Sequence, residues 1–119
     1  MSRILFFILL SISFVAKSGT FYWIGGTGSW SSMSSWSQTS GGTAGVTVPS
    51  VGDTVYFNGA SGLTGASTVT LDVAINVSIF DFSAANTAFQ FQCTLPSITV
   101  SNILSGSVNP TFTGWTGFW

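Results

Sequence analysis

The sequence predicts a mainly β fold. The expected form is a short β-solenoid of the parallel β-helix type with an N-terminal tryptophan-rich cap; the alternative is a small antiparallel β-sandwich. Three observations carry this expectation. Short runs of β-branched and aromatic residues alternate with small polar ones, the period of a half-buried strand. Runs starting near residues 69, 79, 89 and 98 recur at about ten-residue spacing, each bounded by turn residues, which suggests a sandwich, barrel or solenoid. Charge is almost absent, so neither ion pairs nor charged helix faces organise the chain. The solenoid is preferred because no two-residue Asn-Gly or Asp-Gly hairpin joins these runs. Stacked rungs can also bury their inward residues on one another without long-range charge.

The 119 residues fit one domain, divided into a hydrophobic leader over 1–18 and a single β-rich domain over 19–119. Within that domain, 19–68 reads as a Trp/Gly-rich cap region and 69–119 as regular short strands. The leader has a charged start at Arg3 and an apolar run from Ile4 to Ala16, too short for a comfortable transmembrane span. Ala16 and Ser18 are small at the positions a signal peptidase inspects, so cleavage before Gly19 is expected. The alternative is an uncleaved anchor, which would be the only membrane contact, or a buried N-terminal strand.

Thr20 to Ile24 reads as a first strand and Gly25 to Gly28 as a turn, because glycine supplies positive φ without steric cost. Gly25-Gly26-Thr27-Gly28 lacks the Lys-Ser/Thr of a phosphate loop and the strand-to-helix GxGxxG spacing, so no nucleotide site is read. The serines between Trp30 and Trp36 favour an irregular loop or a single helical turn. Residues 37–45 are a polar loop, Val46 to Ser50 is extended before and through Pro49, and Val51-Gly52-Asp53 turns into a strand at Thr54 to Phe57. Asn58-Gly59 and Ser61-Gly62 close that strand. From Val69 to Ile79 large apolar residues alternate with small or polar ones, and the phase slips at Ile79-Phe80, where a bend or bulge belongs. Ser83 to Thr87 is a turn, Phe89 and Phe91 a further strand, Pro96-Ser97 a break, and Ile98 to Val100 another strand. Val108 to Trp119 alternates again and ends on Trp115, Phe118 and Trp119. That end is an aromatic plug over the last rung, an apolar edge for self-association in a larger surface assembly, or a reading frame cut short.

Tyr22-Trp23-Ile24-Gly25-Gly26-Thr27-Gly28-Ser29-Trp30, Trp36-Ser37, Ser40 to Val46, Val48-Pro49 and Asp53 to Phe57 form a series. It resembles the YWxGGxGxW…W…VP…DxVxF module of secreted bacterial adhesin-like surface proteins and phage fibre-like proteins. The resemblance covers roughly residues 21–82. It implies entry into a β-solenoid and a role in adhesion, surface display or fibre structure. Where the module often carries two acids this chain has Gly52-Asp53, which weakens a calcium site.

Composition limits the chemistry. Arg3 and Lys17 are the only cations, Asp53, Asp72 and Asp81 the only acids, and histidine is absent. Nucleic acid is excluded as a partner because phosphate binding needs cations. Without histidine, a cysteine cluster or a lysine beyond the leader, no serine triad, zinc site or activated nucleophile can be assembled there. The three aspartates fit neither a paired-carboxylate site nor a calcium loop and read as turn or solvent-facing residues. Cys93 reads as a small buried apolar residue. Asn76-Val77-Ser78 matches a glycosylation acceptor, a chance-level match. No catalytic residue, metal or cofactor is assigned. The expected function is a non-catalytic exported structural or adhesion module, secreted or at the cell surface, with a virion component as the other address. Trp23, Trp30 and Trp36 read first as a cap whose indoles fold over the open end of the β stack and bury the first rung; the alternative is a carbohydrate-binding module that uses exposed tryptophans, the candidate glycan or partner contacts being Trp23, Trp30, Trp36, Trp115 and Trp119.

Overall fold

The computed structural model describes residues 18–94 and 98–114. It is mainly β. In chain order come β1 (Thr20–Trp23), β2 (Gly28–Ser29), a single 3-10 turn (Met33–Ser35), β3 (Trp36–Ser37) and β4 (Thr54–Tyr56). They are followed by β5 (Thr68–Leu71), β6 (Ile75–Asp81), β7 (Gln90–Cys93), β8 (Ile98–Leu104) and β9 (Thr111–Thr113).

Two sheets result, one in the order β3-β1-β4-β6-β8 and one in the order β2-β5-β7-β9. From β4 onward the chain visits them alternately, so each strand crosses to the opposite sheet instead of doubling back. Among the described residues every strand pairing is parallel except that of β1 with β3. That corrects the antiparallel alternative: parallel neighbours need a long crossover, and here the crossover is the visit to the other sheet. β3 lies antiparallel on β1 and covers the first edge of the larger sheet.

Register puts like residues above one another. Phe21, Val55, Phe80 and Ile103 form one column of the larger sheet. Val69, Phe91 and Phe112 form one in the smaller sheet, with Gly28 at its head. A glycine fits there because a Cβ on Gly28 would come within 3.1 Å of Ser35 Oγ and 3.6 Å of the Trp23 indole. Ser35 Oγ is the limiting neighbour, while the Trp23 indole of the facing sheet lies at ordinary contact distance.

Two local features refine the expected pattern. The alternation from Val69 to Ile79 is divided at residues 72–74, where the chain turns from β5 in one sheet to β6 in the other. A corner preserves inward and outward alternation, so period-two patterning cannot reveal it. The expected phase slip is present: the Asp53 carbonyl accepts both the Ser78 N–H (2.8 Å) and the Ile79 N–H (3.3 Å). Two residues thus oppose one, which is a bulge, and Phe80 returns to the interior. The helical turn expected between Trp30 and Trp36 is Met33–Ser35.

Candidate functional site

Trp23, Trp30 and Trp36 are all buried, none more than 1% exposed. Their rings meet edge to face, Trp23 on Trp36 at 5.1 Å and Trp30 on Trp36 at 4.6 Å between centroids. Two indole N–H groups are satisfied by backbone, Trp23 Nε1 donating to the Gly26 carbonyl (2.9 Å) and Trp36 Nε1 to the Trp30 carbonyl (2.8 Å). Buried tryptophan needs such a partner, and aromatic quadrupoles favour this geometry. The cluster continues through Phe57, stacked on Trp23, Phe80 and Phe89, to Phe91, which stacks on Phe112. The expectation of exposed tryptophans as a sugar platform is therefore corrected for these three: no indole face is open. They form the interior because a chain with one cysteine and almost no charge must draw its stability from apolar burial, and large rings bury the most. Trp115 and Trp119, also candidates for contact, lie outside the described residues, as does Phe118.

The aromatic surface that is open was missed by sequence reasoning. Tyr22 on β1 and Tyr56 on β4 stack at 5.0 Å and 18°. Both are half-buried and lie on the face opposite the buried Phe21 and Val55. The signal was available: Phe-Tyr-Trp and Val-Tyr-Phe each place tyrosine between two interior residues, and strand alternation turns it outward. The outer side of the smaller sheet carries Thr68, Gln90 and Thr111 in one column and Ser29, Thr70, Gln92 and Thr113 in the next. Gln90 Nε2 donates to Thr113 Oγ1 at 3.2 Å across the strands. This face is neutral and rich in donors and acceptors.

Each acid is engaged by the chain itself. Asp53 is buried, and its carboxylate accepts the Gly19 N–H (2.7 Å) and the Ser50 N–H (2.8 Å), the turn role expected for it. Asp81, expected at a turn or facing solvent, is buried and accepts from the Ser83 N–H (2.9 Å) and hydroxyl (2.6 Å). Asp72 accepts from the Ser31 N–H (3.0 Å) and hydroxyl, tying the loop after β2 to the end of β5. Partial burial pushes the Asp72 carboxyl up, but the hydrogen bonds from Ser31 and its own N–H outweigh it, and the net direction is below the ordinary value. Cys93 is buried, with its thiol pushed up by desolvation, in keeping with a packing residue. Among the described residues no cluster of His, Cys, Asp or Glu could hold a metal ion, and no helix is long and apolar enough to cross a membrane. Comparison with protein-family models, curated proteins and solved structures gives no match.

Proposed function

We propose that the chain is a short β-solenoid closed at its N-terminal end by the segment from Trp30 to Pro49, and that it serves as a non-catalytic, exported structural or adhesion module. The supporting observation is the alternation of successive strands between two sheets in which each pairs in parallel with its successor. Such an arrangement grows by adding rungs and presents long, regular outer faces suited to contact. Three further features agree with this reading. Trp23, Trp30 and Trp36 serve packing, the acids serve turns and loop ties, and the outer sheet faces carry uncharged side chains. The leader and the resemblance to adhesin-like and fibre-like modules point to the cell surface or a virion as the address.

Self-association through the C-terminal aromatic end belongs to this proposal. Light scattering on the exported chain should show higher-order species that revert to monomer when Trp115, Phe118 and Trp119 are replaced by serine. A monomer before and after the change would remove self-association from the reading.

The carbohydrate alternative now rests on the stacked pair Tyr22 and Tyr56, whose outer ring surface is the open aromatic platform among the described residues. On a glycan array, any hit should be lost in Tyr22→Ala and Tyr56→Ala; unchanged binding would rule the platform out.

A further inference from the structure

We infer that Asp53 is the receptor for the α-ammonium group of Gly19, created when the Ser18–Gly19 bond is hydrolysed. This inference rests on the export reading above. Gly19 N donates to Asp53 Oδ1 at 2.7 Å, and the aspartate is 6% exposed. The other carboxylate oxygen takes the Ser50 N–H (2.8 Å) and faces the Ser50 hydroxyl at 3.4 Å. The Gly19 carbonyl accepts the Thr54 N–H (2.9 Å), so both ends of this residue are fixed against the Asp53-Thr54 segment. β1 begins at the next residue, with Thr20 in register with Thr54.

Two features single this position out as a chain start. Residue 19 must be small: a Cβ there would lie 2.8 Å from Phe21 Cε2 and 3.4 Å from Asp53 Oδ1. Ser18, immediately before it, is exposed. The second feature is charge. Beyond Lys17 the sequence contains no lysine, arginine or histidine. In a chain that starts at Gly19 the only cation is therefore its own terminus, and the carboxylate hydrogen-bonded to that nitrogen is Asp53. Asp72 is held by Ser31 and Asp81 by Ser83, while Tyr22 and Tyr56 stack on each other.

The bond change is simple. A peptidase of the export machinery adds water across the amide, the hydroxyl to the Ser18 carbonyl carbon and a proton to Gly19 N. The amine then takes a second proton from solvent at neutral pH. One N–H donor becomes three on a unit positive charge, at the distance of a charge-assisted hydrogen bond. Because Gly19 N is held against Asp53 in the folded domain, hydrolysis precedes folding, and folding then captures the new terminus.

The test uses the full chain, expressed with its own leader in a secretion-competent bacterium. Intact mass of the exported protein should place its first residue at Gly19. That product has no lysine, so the α-amine is its only amine; acetyl esters formed on Cys93, Tyr22 or Tyr56 are removed with hydroxylamine before measurement. Acetylation should raise the unfolding constant about tenfold, the difference expected between a charged and a neutral hydrogen-bond donor on a carboxylate. Labelling of the native protein should be about tenfold slower than of the same chain in urea, because the amine must first leave Asp53. In Asp53→Asn acetylation should no longer change stability; if that variant does not fold, the labelling ratio of the unaltered chain decides. Export with a first residue other than Gly19, equal unfolding midpoints with and without the acetyl group, or equal labelling rates would overturn the inference and leave export standing. A chain kept in the cell with its leader intact would overturn both.

Discussion

At the scale of single residues, Phe57 is the side chain on which the interior converges. It is fully buried, stacks on Trp23, Phe80 and Phe89, and meets Trp36 and Phe91 edge to face. Phe57→Ala should cost about 3–5 kcal/mol in denaturant unfolding, since transfer and cavity terms add. Tyr22→Ala should cost roughly 1 kcal/mol, because its ring contributes one stacked pair on a half-open face. Equal costs would contradict the placing of Phe57 in the interior and Tyr22 on the outer face. Asp72 gives a prediction in pH. Its folded pKa lies below the unfolded one, so its contribution is complete above the ordinary carboxylate range and is lost as pH falls through the lowered value. Asp72→Asn should remove that share of acid sensitivity, seen as a flatter profile of unfolding midpoint below about pH 4. The structural role of Trp23, Trp30 and Trp36 was legible from composition, because a nearly uncharged chain without an internal disulfide needs large buried rings. Their full burial was not, since the sequence does not say which indole lies between the sheets.

At the scale of elements, three turns repeat one device. Ser50 with Asp53, Asn58 with Ser61, and Thr64 with Ser67 each exchange two hydrogen bonds. The first residue's N–H donates to the side chain of the last, and the last residue's N–H donates to the first residue's carbonyl. In the Ser50 turn, Gly52 takes a φ of 85°, which glycine alone adopts without cost. Ser61 and Ser67 are buried, so their hydroxyls are the partners that the N–H groups of Asn58 and Thr64 would otherwise lack. Ser61→Ala or Ser67→Ala should each cost about 0.5–1.5 kcal/mol, the net worth of a hydrogen bond whose donor lies on a partly open turn. The check is thermal unfolding against Ser101→Ala, which alters an exposed serine and should leave the midpoint in place. A sequence signal existed here: Asn58-Gly59-Ala60-Ser61 and Thr64-Gly65-Ala66-Ser67 differ only in the first residue. The corner at residues 72–74 had no comparable signal, because a change of sheet leaves the alternation of Leu71, Val73 and Ile75 intact. The bulge at Ser78 and Ile79 was legible because it breaks that alternation.

At the scale of the whole molecule, the pairing of strands sets how the chain must fold. The mainly β class was readable from patterning; the parallel order was expected only from the missing two-residue hairpins, since period two is the same in either direction. That order has a kinetic consequence. Among the parallel pairs of the described strands none is closer in sequence than Gln90 with Thr111, and Gly28 must find Val69. The β1–β3 ladder, Tyr22 with Ser37, is the nearest thing to a local nucleus among the described strands. A topology made of distant partners pays loop-closure entropy before contacts repay it, so refolding should take milliseconds to seconds or longer, as non-local β folds do. Stopped-flow tryptophan fluorescence would measure this, and a microsecond phase carrying the full amplitude would contradict the topology. Slow folding suits the export proposed for this chain. On that proposal, a polypeptide that cannot nucleate locally would stay threadable while it crosses a membrane, and would close its two sheets only after the later strands had arrived beside the earlier ones.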